Sequence, residues 1–285
     1  MAINVITTGL SIAKVRQYFR QITHQKLPIH WLDGWLMAVL DCRRTDLLID
    51  DDRILTDDET TQLNQGLARL MTGEPLAYLL GYEYFWDKKF AVNRHTLIPR
   101  PDTECLVETV LNLLKDGQMK QGRLLDLGTG TGCIGISLAC ELPNWQVLLV
   151  DKSPDALAVA QQNCKQHADW VQCRQSDWFL AVDGQFDVIV SNPPYIRNDD
   201  THLADLTHEP IGALVADDDG LSDIKQIINE ATHHLNNNGL LAIEHGYDQG
   251  LAVRKLLTTA GFADVFTQKD YGGNDRVTLG RWQND

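Results

Sequence analysis

The sequence predicts an α/β protein in two parts, a small helical bundle followed by a doubly wound, largely parallel sheet. Three observations predict it. Up to about residue 80, apolar residues recur at helical spacing with little sheet signal. After Gly117, short β-prone apolar runs alternate with amphipathic stretches, the pattern of strands joined by crossover helices. Between the two lies an aromatic, β-prone stretch around a turn. A chain of 285 residues is long enough for one large or two unequal domains.

Taken in order, residues 11–23 and 30–41 place Ile12, Val15 and Phe19, then Trp31, Trp35 and Val39, on helical faces. Both tryptophans are expected to pack within the bundle. Thr56-Asp57-Asp58-Glu59 spells a capping box ahead of Leu63, Leu67, Leu70 and Met71, and Gly73 and Pro75 stop that helix. Residues 82–92 read as a hairpin turning at Asp87-Lys88. The segment from Leu97 to Glu104 leads into a helix with Asp102 as its expected N-cap. Arg100 there either positions a substrate or ties the segment to the sheet domain.

Strands are then expected at 124–127, 146–150, 170–174, 187–190, 240–244, 265–267 and 276–279, a seven-stranded set. Helices fit 133–142, 155–167, 221–235 and 251–260, the second opened by Ser153-Pro154. Tyr271-Gly272-Gly273-Asn274 is too short for a crossover helix, so the last two strands are expected to be antiparallel. The expected organisation is a helical domain over 1–80, a β-hairpin linker over 81–101 and a sheet domain over 102–285.

Composition narrows the functional classes. Hydrophobic residues at 44% and charged residues at 22% exclude wholesale disorder. No apolar run approaches the roughly 18–20 residues that span a bilayer. Lys14, Arg16 and Arg20 follow the mild apolar N-terminal stretch instead of preceding it, so no secretory signal is expected and the cytoplasm is the expected location, with no membrane association. The formal charge is −14, and the parts before and after residue 85 carry 8 basic against 11 acidic and 17 against 28 side chains. Neither part has a phosphate-neutralising excess, so direct nucleic-acid binding is not expected. Six cysteines without a Cys-x-x-Cys pair argue against a zinc or disulfide framework. His233, His234 and His245 lack ligand spacing, and Asp50–Asp52 and Asp217–Asp219 read as acidic surface loops, so no metal is expected.

Two motifs carry chemistry. Asp126-Leu127-Gly128-Thr129-Gly130-Thr131-Gly132 follows an apolar strand and opens a helix, where glycines let the backbone turn tightly and approach a ligand. Asp151 ends the next strand, where a carboxylate can take both hydroxyls of a ribose. An adenosine-containing cofactor is implied. Gly130, Gly132 and Gly135 also satisfy Gly-x-Gly-x-x-Gly, so the loop alone fits a nicotinamide dinucleotide as well. Asp126 favours S-adenosylmethionine: an acidic residue at the start of the loop would repel a pyrophosphate but can help hold the ammonium of a methionine moiety.

The second motif, Asn192-Pro193-Pro194-Tyr195, ends a buried-strand pattern over residues 186–191, at the kind of strand end where open α/β sheets bind ligands. Two prolines stiffen the turn and remove two N–H donors. The Asn192 side-chain oxygen and the Pro193 carbonyl together suit both hydrogens of a planar –NH₂ group, and Tyr195 offers an aromatic face. A carboxamide or exocyclic amine is a poor nucleophile, whereas a sulfonium is a strong electrophile. Alignment of nitrogen with methyl, and stabilisation of the charge developing on nitrogen, then supply the catalysis with no covalent intermediate. Asn192, Pro193 and Tyr195 are the expected catalytic residues.

At these residues the sequence resembles the protein-(glutamine-N5) methyltransferases that modify peptide chain release factors, the PrmC/HemK family. The match runs through residues 73–78, Leu97 to Glu104, the Asp126–Gly132 loop, Gln175-Ser176-Asp177-Trp178-Phe179 and Ser191 to Ile196. It continues in Glu209-Pro210, Ala213 to Ala216, Glu244-His245-Gly246 and Asn274 to Gly280. Asn-Pro-Pro-Tyr alone also occurs in DNA adenine methyltransferases; the segments at 98–104 and 244–246 make the release-factor enzymes the closer match. The resemblance implies a Rossmann-like, seven-stranded catalytic domain using S-adenosyl-L-methionine and yielding S-adenosyl-L-homocysteine. It implies that the helical domain recognises a release factor and that the acceptor is the glutamine of its Gly-Gly-Gln motif. Asp126, Gly128, Thr129, Gly130, Thr131, Gly132 and Asp151 would hold the cofactor together with Asn192, Trp178 would border the adenine, and Asn192, Pro193, Pro194 and Tyr195 would bind the glutamine. One departure stands out: where the family usually has Val-Arg-x-Glu-Pro after a longer loop, this chain has Leu206-Thr207-His208-Glu209-Pro210.

Overall fold

A computed structural model describes residues 6–24, 27–117 and 119–283. The chain divides into two compact units, Met1–Gly81 with Ala204–His208, and Tyr82–Leu203 with Glu209–Asp285.

The first unit is helical: α1 (Ile12–Ile22), α2 (Ile29–Leu40), α3 (Asp46–Ile49), α4 (Asp57–Met71) and α5 (Leu76–Leu80). Val15, Phe19, Leu32, Leu36, Leu63 and Leu67 fill its core, as the helical spacing requires. The capping box forms: Thr56 Oγ1 accepts from the Glu59 amide, and the Glu59 carboxylate accepts from the Thr56 amide. Trp35 packs inward, its Nε1 donating to the Leu63 carbonyl at 3.2 Å. Its indole lies where a Cβ on Gly66 would sit, 2.2 Å away, so this α2–α4 approach needs glycine. Buried Asp33 is answered by the Arg16 guanidinium in a two-pronged pair at 3.0 Å.

The second unit opens with the hairpin β1 (Tyr82–Phe85) and β2 (Lys88–Ala91). Its turn residues are Trp86 and Asp87, both at positive φ, one position earlier than the sequence suggests. Two such residues give the strands the twist a two-residue hairpin needs. Phe85 and Phe90 are buried in this unit's core, and the Asn163 side chain pairs with both the N–H and C=O of Ala91.

The alternation continues as expected: α6 (Glu104–Asp116), β3 (Gly122–Leu127), α7 (Cys133–Glu141), β4 (Trp145–Asp151), α8 (Pro154–His167), β5 (Gln172–Gln175) and β6 (Phe186–Ser191). Then come a single turn α9 (Asp217–Gly220), α10 (Ser222–His234), β7 (Leu235–Glu244), α11 (Gly250–Thr259), β8 (Phe262–Lys269) and β9 (Asp275–Trp282). The expected cap at Asp102 is not made. Pro101–Thr103 form a 3₁₀ turn ahead of α6, and the Asp102 carboxylate lies 3.5 Å from Arg276 instead.

The sheet order is β5-β4-β3-β6-β7-β9-β8. β5 through β7 pair in parallel; β7 with β9 and β9 with β8 are antiparallel. Successive residues of each strand face opposite layers: Leu124 joins the core beneath α6, α7 and α8, and Leu125 the core beneath α10 and α11. With both faces covered, the central strands read as continuous apolar runs.

Candidate active site

The chain leaves β3 toward β4 and β5 on one side and later returns to β6 on the other. The crevice of such a sheet opens where that order reverses, over the carboxyl ends of the strands. A cavity of about 530 Å³ lies there. Gly128, Thr129, Gly130, Thr131, Asp151, Trp178, Asn192 and Pro194 line it. Asp126, Gly132, Pro193 and Tyr195, also expected from the sequence, are not among its lining residues.

The glycine loop is shaped by its own hydrogen bonds. Gly128 and Gly130 hold φ of 65° and 54°, a region that glycine enters without steric cost. Asp126 is wholly buried under the loop; its Oδ2 accepts from Thr129 Oγ1 at 2.6 Å and from the Gly135 amide at 3.0 Å. Its Oδ1 is buried with no partner among the described residues. Burial pushes this carboxyl up to about 7, against the pull of the Thr129 and Gly135 bonds. Asp151 is aimed by the backbone: the Gly130 amide donates to Oδ2 and the Ser153 amide to Oδ1, both at 2.8 Å. Each oxygen keeps a lone pair for a further donor. Burial raises this carboxyl as well, with those two amide bonds opposing it.

Trp178 adopts φ of 46°, held by Ser176, whose Oγ donates to its carbonyl at 2.7 Å. Its ring covers Gly128, where a Cβ would come within 3.1 Å. Cys133 also lines the cavity, but burial pushes its thiol up to about 12, so no thiolate is available as a nucleophile.

Asn192 also lines the cavity, and its Nδ2 donates to Thr103 Oγ1 at 3.3 Å, which leaves Oδ1 as its accepting atom. Tyr195 donates its phenol to Glu244 Oε1 at 3.3 Å, and burial with the Glu244 charge pushes its ionisation up. Its carbonyl accepts from Gln249 Nε2, which also donates to the Asp219 carbonyl. Asp218, Asp219 and Gly220 all hold positive φ, and a Cβ on Gly220 would lie 2.1 Å from the Tyr195 carbonyl oxygen. The acidic run 217–219 is thus on the surface as expected, yet it ends in a tight wedge against the Asn-Pro-Pro-Tyr turn.

Both sequence readings of Arg100 find a counterpart. It lines the cavity, and it pairs with Glu209, whose buried carboxylate also accepts from the Ile98 amide. His245 is wholly buried, its Nε2 against Thr278 Oγ1 at 2.7 Å, which suits a structural histidine. Among the described residues no cluster of His, Cys, Asp or Glu fits a metal, and no helix is long and apolar enough to cross a membrane.

Sequence reasoning does not single out Thr103 or Glu244 as site residues. The signal is present for Glu244, an acidic residue ending an apolar strand just as Asp126 and Asp151 nearly do. For Thr103 it is absent, because only the tertiary fold carries it to Asn192.

Known proteins share this architecture. Residues 102–214 match the family model described as the methyltransferase small domain, and residues 16–81 that of the PrmC N-terminal domain. The release factor glutamine methyltransferase of Salmonella typhimurium is 49% identical over 243 residues, 84% of this chain and 87% of the relative. That of Escherichia coli K12 is 48% identical over 272 residues, 94% of this chain and 97% of the relative. Among solved structures, a methyltransferase from Pyrococcus furiosus superposes with TM-score 0.52 at 18% identity, covering 77% of this chain and 99% of that one. The hMettl16 catalytic domain, in complex with MAT2A 3′UTR hairpin 6, gives TM-score 0.55 at 18% identity, covering 82% and 86%. At such identities the structural likeness is one of fold.

Proposed function

This chain belongs to the release factor glutamine methyltransferase family, and from that membership we propose that it methylates the side-chain amide nitrogen (N5) of the glutamine in the Gly-Gly-Gln motif of peptide chain release factors, in support of translation termination. It is an S-adenosyl-L-methionine-dependent methyltransferase. The observation that carries the acceptor reading is one cavity lined by the glycine loop, Asp151 and Asn192 together.

The residues present fit the cofactor. Gly128 and Gly130 carry no Cβ at the loop's two positive-φ turns, Asp151 presents two backbone-aimed oxygens to a ribose, and Trp178 offers a ring for the adenine. Asp126 acts from below, holding Thr129 by Oδ2, and its buried Oδ1, without a partner among the described residues, would accept from the methionine ammonium. When bound, S-adenosyl-L-methionine supplies a methyl already activated by its sulfonium and leaves as S-adenosyl-L-homocysteine.

The protein's own task is to present the nitrogen. Asn192 Oδ1 and the Pro193 carbonyl accept the two amide hydrogens, turning the nitrogen toward the methyl and offsetting the positive charge that grows on it. Pro194 walls the slot, and Tyr195 anchors the turn through Glu244 and Gln249. The nitrogen gains a methyl and loses one hydrogen as a proton. No thiolate or metal is asked to act. The helical unit recognises the release factor, and the cytoplasm, where such a partner works, suits six free cysteines.

The test uses radiolabelled S-adenosyl-L-methionine with a bacterial release factor, the same factor with its Gly-Gly-Gln glutamine changed to alanine, and DNA alone. Label on the unaltered factor only is the expected result. Label on DNA, or on both factors alike, overturns the acceptor.

A further inference from the structure

Two of the free cysteines meet, and methyl transfer gives them no task. Cys164 on α8 and Cys173 on β5 bring their sulfurs to 3.6 Å. Cys164 is 4% exposed and belongs to the core, whereas Cys173 is half-buried on the edge strand, paired with β4 alone. The Cys140 sulfur faces the His167 carbonyl instead, at 3.6 Å. The contact with Cys164 draws the ionisation of Cys173 down; the same contact, and burial after it, push that of Cys164 up. The more exposed sulfur is thus also the readier thiolate.

We propose that Cys164 and Cys173 form an oxidation site, a dithiol that a hydroperoxide converts reversibly to a disulfide and that loosens the cofactor pocket when it closes. With hydrogen peroxide, the Cys173 thiolate attacks one oxygen and the O–O bond breaks. Hydroxide leaves and becomes water with the proton that Cys173 gave up, and Cys173 is left as a sulfenic acid. The Cys164 sulfur then attacks the sulfenic sulfur, the S–O bond breaks, and that oxygen leaves as a second water with the Cys164 proton. Two thiols and one peroxide give one disulfide and two waters.

A disulfide needs about 2.0 Å between its sulfurs, so α8 or β5 has to shift. Both lead to the cavity. Asn163, next to Cys164, donates to the Thr131 carbonyl of the glycine loop at 2.9 Å. β5 runs on into Ser176, Asp177 and Trp178, with the Ser176 amide tied to the Asp151 carbonyl at 3.0 Å. The site is independent of which acceptor the protein methylates.

In the test, reduced protein is treated with hydrogen peroxide, alkylated and mapped by mass spectrometry. A cross-linked pair of peptides carrying residues 164 and 173 is expected, two hydrogens lighter than the dithiol and undone by dithiothreitol. In Cys164→Ala, Cys173 is expected to stop at the sulfenic acid, which dimedone traps; in Cys173→Ser, Cys164 is expected to remain a thiol. Titration calorimetry with S-adenosyl-L-homocysteine is expected to show about tenfold weaker binding to the disulfide form, an ordinary coupling between two sites. Dithiothreitol should restore that affinity, and peroxide should leave it unchanged in Cys173→Ser. Both cysteines still open to alkylation after peroxide, a disulfide from either one to Cys140, or undiminished affinity in the disulfide form overturns the proposal.

Discussion

Asn192 shows what a single side chain is asked to do. Its –NH₂ is engaged by Thr103, which leaves its oxygen to accept, as the proposed role requires. Asn192→Ala is expected to lower turnover by about 10²–10³-fold, as does removal of one positioned polar group elsewhere, with cofactor affinity nearly unchanged. Unchanged turnover would remove the assigned role. Asp126 differs in kind. The sequence marks it as an acid in a glycine loop, and nothing in its spacing says that it is wholly buried. Burial arises because Thr129 and Gly135 fold over it, one from the loop and one from α7. Gly132 is legible as a helix-opening glycine, but its neighbours are not: a Cβ there would meet Ile136 Cδ1 at 2.8 Å.

Among the elements, those with long periodic patterns are legible in the sequence, because a 3.6 or 2.0 repeat needs only the chain itself. Three are not. α3, α5 and α9 have four, five and four residues, too short for a repeat to register. The hairpin turn is displaced by one residue because Trp86, not Lys88, takes the positive φ that its geometry demands. Two further expectations belong at this scale. Glu209 fastens residues 97–100 by its bonds to the Ile98 amide and Arg100, 111 and 109 positions away. Glu209→Ala leaves a buried amide unpaired and is expected to cost about 1–3 kcal/mol in urea unfolding; an unshifted midpoint would contradict the assignment. Gly220→Ala forces a Cβ against the Tyr195 carbonyl, so methyl transfer should fall while cofactor binding persists. A fully active Gly220→Ala would show that the wedge does not hold Tyr195.

For the molecule as a whole, two buried carboxyls set the pH response of the sheet unit. Asp126 and Glu244 both lie near 7 when folded, above their ordinary values near 4. The folded state therefore binds protons more tightly than the unfolded one, and stability is expected to fall as pH rises from about 4.5 to about 7, then level off. Buried His245, held low, opposes this by favouring the neutral form as pH climbs toward about 6.5. Two large shifts outweigh one, so a urea midpoint that rises across this interval would overturn the account. The net charge of −14 adds in the same direction through self-repulsion. By itself the sequence determined the division into helices and an alternating sheet, the glycine loop, Asp151 and the Asn-Pro-Pro-Tyr turn, since each is written in a few adjacent residues or in one repeat. Only the tertiary structure decided the strand order, which lays the ends of β3, β4 and β6 around one cavity. It alone also decided the meeting of Asn192 with Thr103 and of Tyr195 with Glu244, 89 and 49 positions apart. Such pairings depend on how strands cross over and pack, and local spacing carries no record of that.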